Sequence, residues 1–268
     1  MSYTIETFEN DKLKMQYIRF GTGEKTLVII PGISLGGVIS FAAAIEKQYE
    51  IFSKDFTVYL FERRENMPEG YTVYDMAEDT ATVIKSLGLK NICLFGVSQG
   101  GMISMLIAAR CGGLVSKLVL GSTAYKVYGK GSEVIDEWVS LFEQNKLKEF
   151  CLCFGEKVYS KEVFEKNKSA FRVVAKMFSE NDFKRTLILA KGTLGFNAEN
   201  ELKNIQCPVF VIGDTEDKVF GKDSSYELYE KLKKDNQNAS LFMYEGYGHA
   251  VYDTAPDYTE KLYEFFIG

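Results

Sequence analysis

The chain has 268 residues, 46% hydrophobic and 14% aromatic, enough to bury one substantial core with a smaller appended layer. Its formal charge is -5, with Lys and Arg dispersed among Asp and Glu, which argues against a nucleic-acid partner because no basic run could neutralise phosphates. No stretch approaches the roughly 18 apolar residues of a membrane span, and the opening MSYTIETFENDKLKMQYIRF lacks the features of a secretion signal, so the sequence predicts a cytoplasmic protein without a membrane partner.

In chain order, residues 4–8 and 14–20 alternate apolar and polar side chains on either side of Glu9, Asn10 and Asp11, which predicts an antiparallel hairpin. Residues 27–30, 56–61, 91–97, 117–120 and 208–212 are compact apolar runs rich in β-branched residues, as expected of parallel strands covered on both faces. Helical patterns at 35–52, 73–87, 99–111, 224–234 and 258–266 alternate with them, and a last strand is expected at 241–244. Between Ser122 and about Gln206 the alternation stops in favour of helices at 133–143, 147–154, 162–178 and 183–190. The reading is therefore an α/β core of residues 1–121 and 207–268, with residues 122–206 inserted as a helical cap.

The candidate chemistry lies in the loops that follow strands. Gly96-Val97-Ser98-Gln99-Gly100 matches G-x-S-x-G between a strand and a helix, where flanking glycines allow a tight turn that pushes the Ser98 hydroxyl into a cleft. At that helix start the Gln99 N–H can face an oxyanion. The loop Pro31-Gly32-Ile33-Ser34 can supply a second N–H, from Ile33 or, as the near alternative, Ser34.

His249 is the only histidine, so any mechanism needing a neutral imidazole must use it, and any site needing two is excluded. It follows the last strand in Glu245-Gly246-Tyr247-Gly248-His249. Gly213-Asp214-Thr215-Glu216-Asp217 offers three carboxylates to orient the ring. Asp217 is the choice because it lies furthest out in the loop; Asp214 is expected to brace the turn, and Glu216 is the weaker alternative. The five cysteines, Cys93, Cys111, Cys151, Cys153 and Cys207, lack the paired spacing of zinc or redox sites and read as reduced core residues. No metal or cofactor is expected.

Taken together, the hairpin, the Pro31-Gly32 loop, the GVSQGG turn, the GDTED loop and the GYGH loop resemble the α/β-hydrolase superfamily over nearly the whole chain. The resemblance implies a mostly parallel eight-stranded sheet with helices on both faces. It also implies Ser98 as nucleophile, Asp217 as acid, His249 as base, and Ile33 and Gln99 as main-chain oxyanion donors. Pro31-Gly32 stands where many members have His-Gly, and Glu62-Arg63-Arg64-Glu65-Asn66 stands where D-x-R-G-x-G-x-S is common. Dehalogenases and epoxide hydrolases carry Asp at the turn, and Ser98 argues against both.

The expected activity is hydrolysis of a small acyl ester through an acyl-enzyme, rising with pH through about 6 to 7. Thioesterase, lactonase, carbon–carbon bond hydrolase, aminopeptidase and perhydrolase chemistry, or ligand binding without catalysis, are the alternatives on the same fold. Trp138, Phe142, Phe150, Phe154, Phe164, Phe171, Met177 and Phe178 are expected mostly to form the cap's own core, with a few facing the cleft. The sequence assigns no oligomeric state.

Overall fold

A computed structural model describes residues 3–268. The hairpin is β1 (Thr4–Glu9) and β2 (Lys14–Phe20), followed by β3 (Lys25–Ile30), α1 (Ala42–Gln48), β4 (Phe56–Phe61), α2 (Val73–Ser86), β5 (Ile92–Val97), α3 (Gln99–Arg110) and β6 (Val115–Gly121). After β6 come α4 (Gly129–Glu143), α5 (Leu147–Val158), α6 (Lys161–Val174) and α7 (Glu180–Thr193). The chain then returns through β7 (Val209–Asp214), α8 (Ser224–Lys233), β8 (Ala239–Tyr244), α9 (Val251–Thr254) and α10 (Tyr258–Ile267).

The strands form one eight-stranded sheet in the order β1-β2-β4-β3-β5-β6-β7-β8. β2 runs antiparallel to β1 and β4, and the other pairings are parallel. Both faces are covered, which is why the central strands are apolar throughout. On β3, Val28 and Ile30 pack with α2, α3 and α8, whereas Leu27 and Ile29 pack on the opposite face with α1 and α10. A buried helix needs no polar side, and Met102 to Ala108 of α3 are all buried.

Three local expectations are corrected. The stretch 35–52 is not one helix: Gly36 and Gly37 sit at φ +69° and +76°, outside the helical region, so regular α-helix is confined to the seven residues of α1. The predicted helix 162–178 stops at Val174, and Ser179 opens α7 with a capping box to Asp182. Asn91 lies at φ +52°, so β5 begins one residue later than the apolar pattern suggests.

α4 to α7 lie between β6 and β7, which are neighbours in the sheet. Their aromatic residues form a third core: Phe142 and Phe150 are buried with ring centroids 4.0 Å apart, and Trp138 packs on Phe154 at 5.1 Å. Met177 does not join it and is 78% exposed. Among the described residues no helix is long and apolar enough to cross a membrane.

Candidate active site

The turn after β5 is made possible by absent side chains. A Cβ on Gly100 would lie 2.0 Å from the Ile30 carbonyl oxygen, and one on Gly96 would lie 2.3 Å from the Gly100 oxygen. Backbone can approach so closely only where no Cβ intervenes. Ser98 is held at φ +55°, ψ −124°, a conformation costly for a side-chain-bearing residue. Its N–H donates to the Gly121 carbonyl at 2.9 Å, and its carbonyl accepts from Thr123 Oγ1 at 2.7 Å. These bonds to the neighbouring strand end hold the strained turn in place.

The structure brings Ser98, His249 and Asp217 together. His249 Nε2 lies 3.0 Å from Ser98 Oγ, and Nδ1 lies 2.8 Å from Asp217 Oδ2. An ionised carboxylate can only accept, so Nδ1–H donates to Asp217, and in the neutral ring Nε2 is left to accept the Ser98 hydroxyl proton. His249 and Asp217 are buried, at 3% and 4% exposure. The remaining Asp217 oxygen accepts the N–H groups of Val219 and Phe220 at 2.7 and 3.1 Å, which keeps the carboxylate aimed at the ring.

The other two carboxylates of this loop go elsewhere. Asp214, also buried, accepts the N–H of Glu216 at 2.7 Å and those of Tyr247 and Gly248 at 3.0 Å. It thus braces the loop carrying the imidazole, where Gly248 takes φ +77°. Glu216 is exposed.

Ile33 and Gln99 line the same small chamber as Ser98 and His249. Gln99 is the first residue of α3, so its N–H has no acceptor within the helix. Its side chain is anchored in the opposite direction, with Nε2 donating to the Leu189 carbonyl and Thr193 Oγ1, both at 2.8 Å on α7. Arg63 ties the two walls together: Nη2 donates to the Pro31 carbonyl at 2.7 Å and to Gln99 Oε1 at 3.3 Å. Burial pulls its guanidinium below the ordinary value while the Glu62 carboxylate opposes that pull. Glu62 in turn accepts the Val38 N–H at 2.6 Å, fixing the far end of the glycine-rich loop.

Three contributors were missed in the sequence: Arg63, Phe220 and Tyr252. The Phe220 ring meets the His249 ring edge-on with centroids 5.4 Å apart, and Tyr252 lines the chamber, its phenol kept neutral by burial. An arginine at the tip of a buried strand was the available signal for the first. The inserted helices supply Ile135, Trp138, Phe154 and Val158 as an apolar wall. The chamber has about 20 Å³ of free space, room for one water.

A strained serine at a strand-to-helix turn, with an imidazole and a carboxylate delivered by the loops after the last two strands, defines a class of fold. Residues 25–256 match the family described as alpha/beta hydrolase fold, and the chain belongs to that family. It is 25% identical over 193 residues to the AB hydrolase superfamily protein YisY of Bacillus subtilis (strain 168), covering 69% of each chain. It is 26% identical over 254 residues to the putative carbamate hydrolase RutD of Rhizobium rhizogenes (strain K84 / ATCC BAA-868), covering 90% of this chain and 92% of that one. Among solved structures, MGS-M2, an alpha/beta hydrolase enzyme from a Medee basin deep-sea metagenome library, superposes with a TM-score of 0.85 at 20% identity over 98% of each chain.

Proposed function

We propose that the protein is a serine hydrolase of small acyl esters, with Ser98 as nucleophile, His249 as general base and acid, and Asp217 as the carboxylate that orients the imidazole. The observation that carries this reading is the unbroken hydrogen-bonded run from Ser98 Oγ through both nitrogens of His249 to Asp217. In the first half-reaction Ser98 Oγ attacks the acyl carbon and its proton passes to His249 Nε2. The anion on the former carbonyl oxygen is held by the N–H groups of Ile33 and Gln99. The bond to the alcohol oxygen then breaks and that oxygen takes the proton from His249. Water repeats the sequence on the acyl-Ser98 ester, giving its proton to His249, which returns it to Ser98 as the carboxylic acid leaves.

Residues 122–206 act as a cap over this chemistry, with Trp138 and Phe154 offering an apolar surface to the acyl group. The likeness to a putative carbamate hydrolase over most of the chain supports a second reading, in which the same anion forms on a carbamate carbonyl. Labelling with a fluorophosphonate probe tests the nucleophile. Wild type is expected to label and Ser98→Ala to remain unlabelled; labelling of the variant, or none in folded wild type, overturns the proposal. Matched p-nitrophenyl esters and carbamates then separate the two readings by kcat/KM.

A further inference from the structure

The chamber around Ser98 has free space for about one water, and a larger cleft of about 480 Å³ lies immediately beside it. The two are contiguous along α4: Gly131 lines the outer cleft, while Ile135 and Trp138, one and two turns further, line the inner chamber. One residue belongs to both linings, Phe220. Its ring forms the partition, packed edge-on against the His249 imidazole on one side and close to Gly131 on the other, where a Cβ would lie 3.1 Å from Phe220 Cδ1.

Resting on the serine-hydrolase reading, we propose that Phe220 is the gate on the leaving-group side of the site, and that the outer cleft is the subsite for a large, polar leaving group attached to a short acyl group. The chemistry sets the direction. His249 Nε2 must protonate the departing oxygen, so the leaving group occupies the flank of the imidazole rather than the wall of Trp138 and Phe154. Phe220 covers that flank. Turning its side chain joins the two spaces, whereas its backbone stays put because its N–H and that of Val219 are bound to Asp217 Oδ1. The gate can therefore move without disturbing the carboxylate that orients the base.

The character of the two spaces agrees with this division. The inner chamber is walled by Ile135, Trp138, Phe154 and Val158, leaving little length for an acyl chain. The outer cleft carries Lys126, Lys218 and Lys222 together with Glu216 and Glu227, and Tyr128 donates to Glu227 at 2.5 Å. Mixed charge and phenolic groups suit a leaving group rich in hydrogen-bonding atoms rather than a lipid alcohol.

Two substrate series test the assignment. One lengthens the acyl chain at constant leaving group, from p-nitrophenyl acetate to octanoate; the other keeps acetate and adds a tri(ethylene glycol) arm to the nitrophenol. Wild type is expected to lose about tenfold or more in kcat/KM along the acyl series and about threefold or less on adding the arm. Phe220→Ala is expected to raise the armed-to-unarmed ratio about fivefold while moving the octanoate-to-acetate ratio less than about twofold, and Phe220→Trp to lower the first ratio. Ratios cancel any general loss of active enzyme, and Phe220→Leu replaces the alanine variant if that one does not fold. An acyl ratio that responds in place of the leaving-group ratio, ratios that do not move, or octanoate cleaved as well as acetate by wild type overturns the assignment. Fluorophosphonate labelling of the same preparations separates the failures: unmoved ratios in a labelled enzyme sink only the gate, and absent labelling in folded wild type sinks the serine-hydrolase reading itself.

Discussion

Asp214 accepts the main-chain N–H of Gly248 at 3.0 Å, while Asp217, three residues further along the same loop, receives the imidazole that Gly248 precedes. One carboxylate positions the backbone that carries the ring and the other positions the ring. The two substitutions to asparagine should therefore have different signatures.

Asp217→Asn replaces an obligate acceptor with a group that can donate to Nδ1 and so stabilise the wrong tautomer, and kcat is expected to fall by about 10⁴. Asp214→Asn leaves one acceptor oxygen for three N–H groups and is expected to cost about 1–3 kcal/mol of stability with the smaller loss in kcat. Steady-state kinetics and urea denaturation of both variants check this split. Comparable kcat losses would contradict it.

Ser98 is held in a backbone conformation that glycine adopts readily. Such strain costs of order 1–3 kcal/mol. Ser98→Gly and Ser98→Ala are both expected to abolish ester hydrolysis and to lose the hydroxyl bond to His249. The glycine variant is expected to be the more stable of the two by about 1 kcal/mol, because glycine's larger loss of freedom on folding offsets part of the strain relief. Their denaturation midpoints measure it, and a glycine variant less stable than the alanine variant would show that the turn is not strained.

Arg63 donates to the Pro31 carbonyl and to Gln99 Oε1, so under the proposed mechanism it is assigned as a positioning residue that touches no reacting atom. Arg63→Met removes the donor that holds the Pro31 carbonyl, and small displacements of a catalytic wall are expensive. The expected loss in kcat is about tenfold or more, with KM changed less than about threefold. Lysine supplies one point charge instead of a planar fork, so Arg63→Lys should recover only part of the rate. A loss residing in KM would instead assign Arg63 to substrate binding.

The capping box at the start of α2 gives a pH signature away from the site. Asp75 Oδ2 accepts the Thr72 hydroxyl at 2.5 Å and the Thr72 N–H at 2.8 Å, and these bonds lower its carboxyl from the ordinary value. A lowered folded value means that ionised Asp75 stabilises the native state above the ordinary carboxylate range, and that this contribution disappears as pH falls through the lowered value. Asp75→Asn is expected to be about 0.5 kcal/mol less stable at neutral pH, a small effect because the carboxylate is exposed and screened, with the gap to wild type narrowing below about pH 4. Urea midpoints across that range test it; a constant gap would indicate that the charge contributes nothing.

The sheet was legible because each central strand is a short apolar run buried on both faces: residues 27–30 feed two separate cores, and their short length, β-branched content and the Pro31-Gly32 turn that follows distinguish them from a buried helix such as α3. The serine turn was legible because Gly96 and Gly100 mark where backbone meets backbone. The interruption of 35–52 was harder to read, since the apolar period continues through Gly36 and Gly37 and only their positive φ breaks it. Arg63 escaped because a charged residue beside Glu62, Arg64 and Glu65 looks like solvated loop, and only the fold reveals that its guanidinium is buried under Pro31. Phe220 escaped for the opposite reason: one aromatic among twenty phenylalanines carries no mark of its neighbour.

The solitary imidazole makes this protein its own spectroscopic probe. With both ring nitrogens of His249 engaged and no second histidine in the chain, every imidazole signal in a nitrogen-15 NMR spectrum originates between Ser98 and Asp217. Tautomer, protonation and ligand arrival can thus be followed at one site without mutagenic assignment, in the unmodified protein.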